Sequence, residues 1–77
     1  MPWRVTGKRE DENGANTHYR IRNEKGEEKI VIRAVAVALQ KRGEMPRYHI
    51  YTRDGVEYLR DNPDTREEDN IDHQPDI

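Results

Sequence analysis

Apolar and polar residues alternate along Trp3-Arg4-Val5-Thr6-Gly7-Lys8, with the β-branched content of a half-buried strand. A polar stretch follows and holds Asn13-Gly14, a strong turn dipeptide. Alternation resumes over Thr17-His18-Tyr19-Arg20-Ile21-Arg22, setting Thr17, Tyr19 and Ile21 on one face and His18, Arg20 and Arg22 on the other. Asn23-Glu24-Lys25-Gly26 marks a second turn.

The period then changes. Ile30-Val31-Ile32 has the propensity of a strand, yet Arg33 to Arg42 has the pattern of a helix. On a helical wheel Val31, Val35, Ala38 and Leu39 share a stripe flanked by Ile32 and Ala36, and Val37 is the misfit. Lys41 and Arg42 suit the negative end of the helix dipole, Gly43 suits the left-handed residue after the last turn, and Pro46 prevents resumption. The pattern predicts a helix from about Ile32 to Arg42.

The last regular segment reads as a hairpin. Tyr48-His49-Ile50-Tyr51-Thr52-Arg53 and Val56-Glu57-Tyr58-Leu59-Arg60 flank Asp54-Gly55, a pair suited to a turn in which both central residues take positive φ. A two-residue loop sets Arg53 opposite Val56, Tyr51 opposite Tyr58, Ile50 opposite Leu59 and His49 opposite Arg60. Tyr48, Ile50, Thr52, Glu57, Leu59 and Asp61 then share one face. His49, Tyr51, Arg53, Val56, Tyr58 and Arg60 share the other.

The expected fold is therefore α+β: a small two-layer sandwich, strand-strand-helix-strand-strand, with a C-terminal β-hairpin. The domain is expected over residues 2–62, with an acidic, largely irregular tail over residues 63–77. The expected core is Trp3, Val5, Tyr19, Ile21, Val31, Val35, Leu39, Ile50 and Leu59.

Composition narrows the setting. Only 31% of residues are hydrophobic and 39% are charged, close to the range where burial fails to offset chain entropy. The apolar residues are clustered, which favours a fold. The chain has no Cys, so disulfides and thiolate metal sites are excluded and a reducing cytoplasm is the expected setting. No apolar run of signal-peptide type follows Met1-Pro2-Trp3-Arg4, and Ala34 to Leu39 is too short to cross a bilayer, so no membrane partner is expected. The net charge of -2 hides an asymmetry, since the acidic residues of the tail leave the preceding body net positive.

Several segments together resemble a known family. Val5-Thr6-Gly7, then Thr17-His18-Tyr19-Arg20, then a short helix ending at Gly43, are followed by Gly55-Val56-Glu57-Tyr58-Leu59-Arg60 and Asn62-Pro63-Asp64. Asp69-Asn70-Ile71-Asp72, with Pro75 close behind, completes the order. The pattern is similar to that of a bacterial family of small proteins catalogued as domain of unknown function 3892 (DUF3892). The resemblance implies one strand-rich domain with one helix, in which the segment through Pro75 belongs to the domain and Ile71 docks onto the body. It carries over no catalytic or ligand residue, and Gln74 departs from the Leu that such proteins tend to have before Pro75.

Catalysis needs a nucleophile, a base and an orienting partner. The chain has neither Cys nor Ser, and its three histidines, His18, His49 and His73, are far apart. His18 and His49 would share a metal only if their strands were neighbours, and alternation sets both among exposed polar residues. Asp61, Asp64, Asp69 and Asp72 offer hard oxygen ligands but not the spacing of a calcium loop, so the tail reads as solvated or partner-binding. The expectation is that the chain is no enzyme and needs no cofactor.

The hairpin face of His49, Tyr51, Arg53, Tyr58 and Arg60 is the candidate binding face. Rings interleaved with arginines suit single-stranded nucleic acid, and His18, Arg20 and Arg22 would extend that face if the sheet order permits. Cross-strand tyrosines also stabilise a hairpin on their own account. The other reading is a protein-interaction module, joined to a protein partner or to a second copy through a strand edge or exposed tyrosines. Protein interaction is the leading expectation and single-stranded nucleic acid the alternative.

Overall fold

The computed structural model describes residues 2–62 and 71–77. It is a small α+β fold in the order β1 (Trp3–Glu10), β2 (Asn16–Asn23), β3 (Glu28–Ile32), α1 (Arg33–Lys41), β4 (Tyr48–Arg53) and β5 (Val56–Asp61), with a 3₁₀ turn at Ile71–His73. The strands divide into two sheets, an antiparallel β1-β2-β3 sheet and the β4-β5 hairpin, and α1 packs on both.

The hairpin follows the register expected from Asp54-Gly55, with Tyr51 opposite Tyr58 and Ile50 opposite Leu59. Asp54 and Gly55 have φ of 52° and 77°, the positive values such a turn demands. The inward face carries buried Tyr48 and Leu59 with half-buried Ile50.

The segment with mixed signals resolves into both structures. Glu28–Ile32 pairs with β2 as a strand, and the helix begins at once at Arg33. No side chain caps that start, because the extended Ile32 feeds straight into it. The far end is a Schellman motif: Gly43 N–H bonds Gln40 O at 2.9 Å and Glu44 N–H bonds Leu39 O at 3.0 Å, with Gly43 at φ 81°.

The buried face of α1 differs from the expected stripe. Ala36, Val37 and Leu39 are buried, whereas Val35 and Ala38 are exposed. Val31, the first residue of the expected stripe, belongs to β3. With the helix starting at Arg33, the inward arc rotates toward Val37. Met45, Tyr48 and Ile71 join the core with Val5, Tyr19, Ile21, Ala36, Leu39 and Leu59, and Trp3, Val31 and Ile50 pack against it.

β1 carries a bulge at Thr6, between the pairs Val5–Ile21 and Gly7–Arg20. Arg20 fastens it, donating from Nη2 to Thr6 O at 2.8 Å and from Nε to Thr6 Oγ1 at 3.2 Å. The end of the chain, expected as part of an irregular tail, lies against β1 from Ile71 onward. Ile71 is buried, Lys8 N–H bonds Pro75 O at 3.0 Å, and Ile77 N–H bonds Lys8 O at 2.8 Å. Residues 63–70, which include Asp64 and Asp69, lie outside the described residues. Among the described residues no helix is long and apolar enough to cross a membrane.

Candidate functional site

Alternation along β4 and β5 brings the five candidate residues to one face of the hairpin, but their rings are already engaged. Tyr51 and Tyr58 stack with centroids 5.4 Å apart and planes at 26°. The guanidinium of Arg33 sits 4.6 Å from the centre of the Tyr58 ring, and that of Arg60 sits 5.7 Å from the centre of the Tyr51 ring. Each tyrosine therefore has a ring neighbour and a cation neighbour. His49 shares a 3.1 Å hydrogen bond between Nδ1 and Asn62 Oδ1. Arg53 stays exposed and borders a depression of about 380 Å³ with Arg60 and the carboxylate-bearing Asp61.

β2 does not extend this face. It is the middle strand of the other sheet, so His18, Arg20 and Arg22 are not continuous with the hairpin. Arg20 serves the bulge, and His18 Nδ1 meets Thr17 Oγ1 at 2.9 Å. His18 and His49 stand in separate sheets, and no group of three His, Asp or Glu among the described residues is placed to hold a metal.

Behind the tyrosine pair lies Tyr19, fully buried. Burial pushes its phenol up to about 12, although Asn16, the Leu59 backbone and Arg33 pull the other way. Its hydroxyl sits beside these groups without a well-formed hydrogen bond. Burial therefore holds the phenol in its protonated form at neutral pH.

The two outer edges of the three-stranded sheet differ. Along β1 the outward groups are taken by three separate segments: Trp3 N–H by Glu44 O at 2.8 Å, Val5 N–H by the Tyr48 hydroxyl at 2.9 Å, and Lys8 by Pro75 and Ile77. Along β3 the only ladder among the described residues is the one with β2. Beside that open edge stand Ile30, Ile32 and Val35, exposed by 54%, 51% and 41%. The helical pattern sets Val35 in the buried stripe and Ile32 on its flank, whereas β3 places Ile30 and Ile32 two residues apart on one exposed face.

The charges that commonly protect an edge are turned away from it. Lys29 Nζ lies 4.8 Å from the centre of the Trp3 ring, and Glu28 reaches back to Arg20 Nε at 3.8 Å. No family model, no curated protein and no solved structure matches this chain.

Proposed function

We propose that this chain is a non-catalytic protein-interaction module that works in the cytoplasm and binds through the edge of β3. The observation that supports it is the contrast within one sheet: β1 is closed by three segments, while the outer edge of β3 pairs with no strand among the described residues and stands beside exposed Ile30, Ile32 and Val35. An unpaired strand with apolar neighbours takes an added strand, with main-chain bonds giving affinity.

The partner that fits best is a second copy. A two-fold axis through Ile30 sets Glu28 opposite Ile32 and Lys29 opposite Val31, so all five residues of both strands pair and no like charges face each other. Sliding by two residues sets Lys29 against Lys29, or against Arg33. The full-length register is thus also the one free of charge conflict.

Single-stranded nucleic acid on the hairpin face has weaker support. Base stacking needs a free ring face, and Tyr51 and Tyr58 already hold each other and two guanidinium groups.

The test is sedimentation equilibrium over a wide concentration range for the parent chain and Ile30→Lys. The expected result is a concentration-dependent dimer that the substitution abolishes, with little sensitivity to salt. A monomer at every concentration overturns the self-pairing. A dimer that Ile30→Lys leaves intact overturns the β3 assignment.

A further inference from the structure

At the end of the three-stranded sheet, away from the tyrosine pair, is a groove of about 650 Å³. The first residues of β1, the β2–β3 turn and the segment before β4 form its walls, and Trp3, Pro2 and Pro46 give it an apolar lining. Four cations line it, Arg4, Arg22, Lys25 and Arg47, against one carboxylate, Glu24.

Among the described residues these cations are not spent on the fold. None of the four has an ion-pair partner among the described residues. Arg4 and Arg22 are direct cross-strand neighbours, a like-charged pairing that costs stability. Glu28, which lies across from Arg22 on β3, turns to Arg20 instead. Lys25 is held at the mouth by a fixed turn, in which Asn23 Oδ1 accepts from the Lys25 and Glu27 N–H groups at 3.0 Å each. Lys29 adds a further positive charge over the Trp3 ring.

We infer that this groove binds the backbone of a single-stranded nucleic acid, with phosphates on Arg4, Arg22, Lys25 and Arg47 and a sugar or the edge of a base along the Trp3 and proline lining. Three guanidinium groups suit forked contacts to phosphate oxygens. An open groove of exposed cations suits a polyanion that makes several weak contacts in series. The site is independent of the β3 edge and of the hairpin face.

Trp3 is the single tryptophan of the chain, so its fluorescence reports on the groove directly. The experiment titrates the full chain with a short single-stranded oligonucleotide at low salt and at increasing salt. The expected result is a saturable change in Trp3 emission, with log affinity falling against log salt with a slope of about -2.8 for four phosphates. Arg22→Ala should bring the slope closer to zero by about 0.7 and weaken binding, while Lys41→Ala, whose side chain pairs with Glu57 and does not line the groove, should do neither. A nitrogen–proton NMR spectrum of each variant establishes that the fold is kept. No emission change at low salt overturns the inference. An equal response to a poly-glutamate peptide also overturns it and reassigns the groove to an acidic protein segment. An equal response to a free nucleotide, with no gain from chain length, overturns the polymer in favour of a small ligand.

Discussion

The backbone N–H of Val5 donates to the phenolic oxygen of Tyr48 at 2.9 Å, across 43 residues of sequence and in the buried interior. This bond ties the outward edge of β1 to the hairpin. It also supplies a partner on the outer side of β1, where no strand pairs with Val5 among the described residues.

Tyr48→Phe should therefore destabilise the fold more than its conserved shape suggests. It removes the hydroxyl and leaves the Val5 N–H buried without that partner, a loss of about 1–3 kcal/mol. In a domain of this size that lowers the melting temperature by several degrees, on the order of 4–8 °C per kcal/mol. Thermal unfolding followed by circular dichroism checks it. A change below about 0.5 kcal/mol would show that the bond contributes nothing net.

Gly7 tests the docking of the chain end. A Cβ built there falls 2.5 Å from Ile77 Cγ2 and 3.3 Å from Arg20 Cβ, so Gly7→Ala cannot keep Ile77 where it is. The expected outcome is faster hydrogen exchange at the Lys8 and Ile77 amides, whose bonds to Pro75 O and Lys8 O would open, while the hairpin amides keep their protection. Overall stability should fall by about 1–2 kcal/mol. Unchanged exchange at Lys8 would mean that the end of the chain contributes no protection to β1.

Met45 marks a limit of what the sequence shows. It is fully buried, and Met45→Ala should cost about 2–5 kcal/mol in a denaturant titration. Nothing in its neighbourhood announces this, because it stands alone between Gly43-Glu44 and Pro46, outside any period of 2 or 3.6. The Schellman motif turns the chain back after α1 and places Met45 in the core. The Asp54-Gly55 turn determines the register and so the face Tyr48 shares with Ile50 and Leu59, although the expected core did not include Tyr48. The helix face was not legible in this way. Val31 matches both a strand and a helical stripe, and only its pairing with Tyr19 decides between them. Alternation sets the candidate rings together on one face of the hairpin, but Arg33 over Tyr58 comes from another element, which alternation within the hairpin cannot reveal.

Arg33 offers a test of that long-range contact. It covers the Tyr58 ring and donates from Nη1 to Asn16 O at 3.0 Å, joining the start of α1 to β5 and to the start of β2. Arg33→Lys keeps the charge but loses the planar stacking and the fork. A double-mutant cycle of Arg33→Lys with Tyr58→Leu should give a coupling of about 0.5–1 kcal/mol. Additive effects would show that the ring and the guanidinium are merely adjacent.

Tyr19 should make the fold sensitive to alkali. Its phenol ionises at 10.0 when free and is pushed up to about 12 by burial in the folded chain. Between those values the folded state holds a proton that the unfolded state has lost, so stability falls as pH rises. The contribution is fully present below pH 10 and is lost as pH rises through about 12, amounting to roughly 3 kcal/mol across the two units. Tyr19→Phe removes the titrating group. Because the hydroxyl lacks a well-formed hydrogen bond, the substitution should change stability at neutral pH by less than about 1 kcal/mol. Unfolding free energies measured from neutral pH to above pH 11, for both chains, decide the matter. The parent should lose stability over that alkaline window and the variant should hold level relative to it. Parallel curves would place the alkaline transition in another tyrosine or in the lysines.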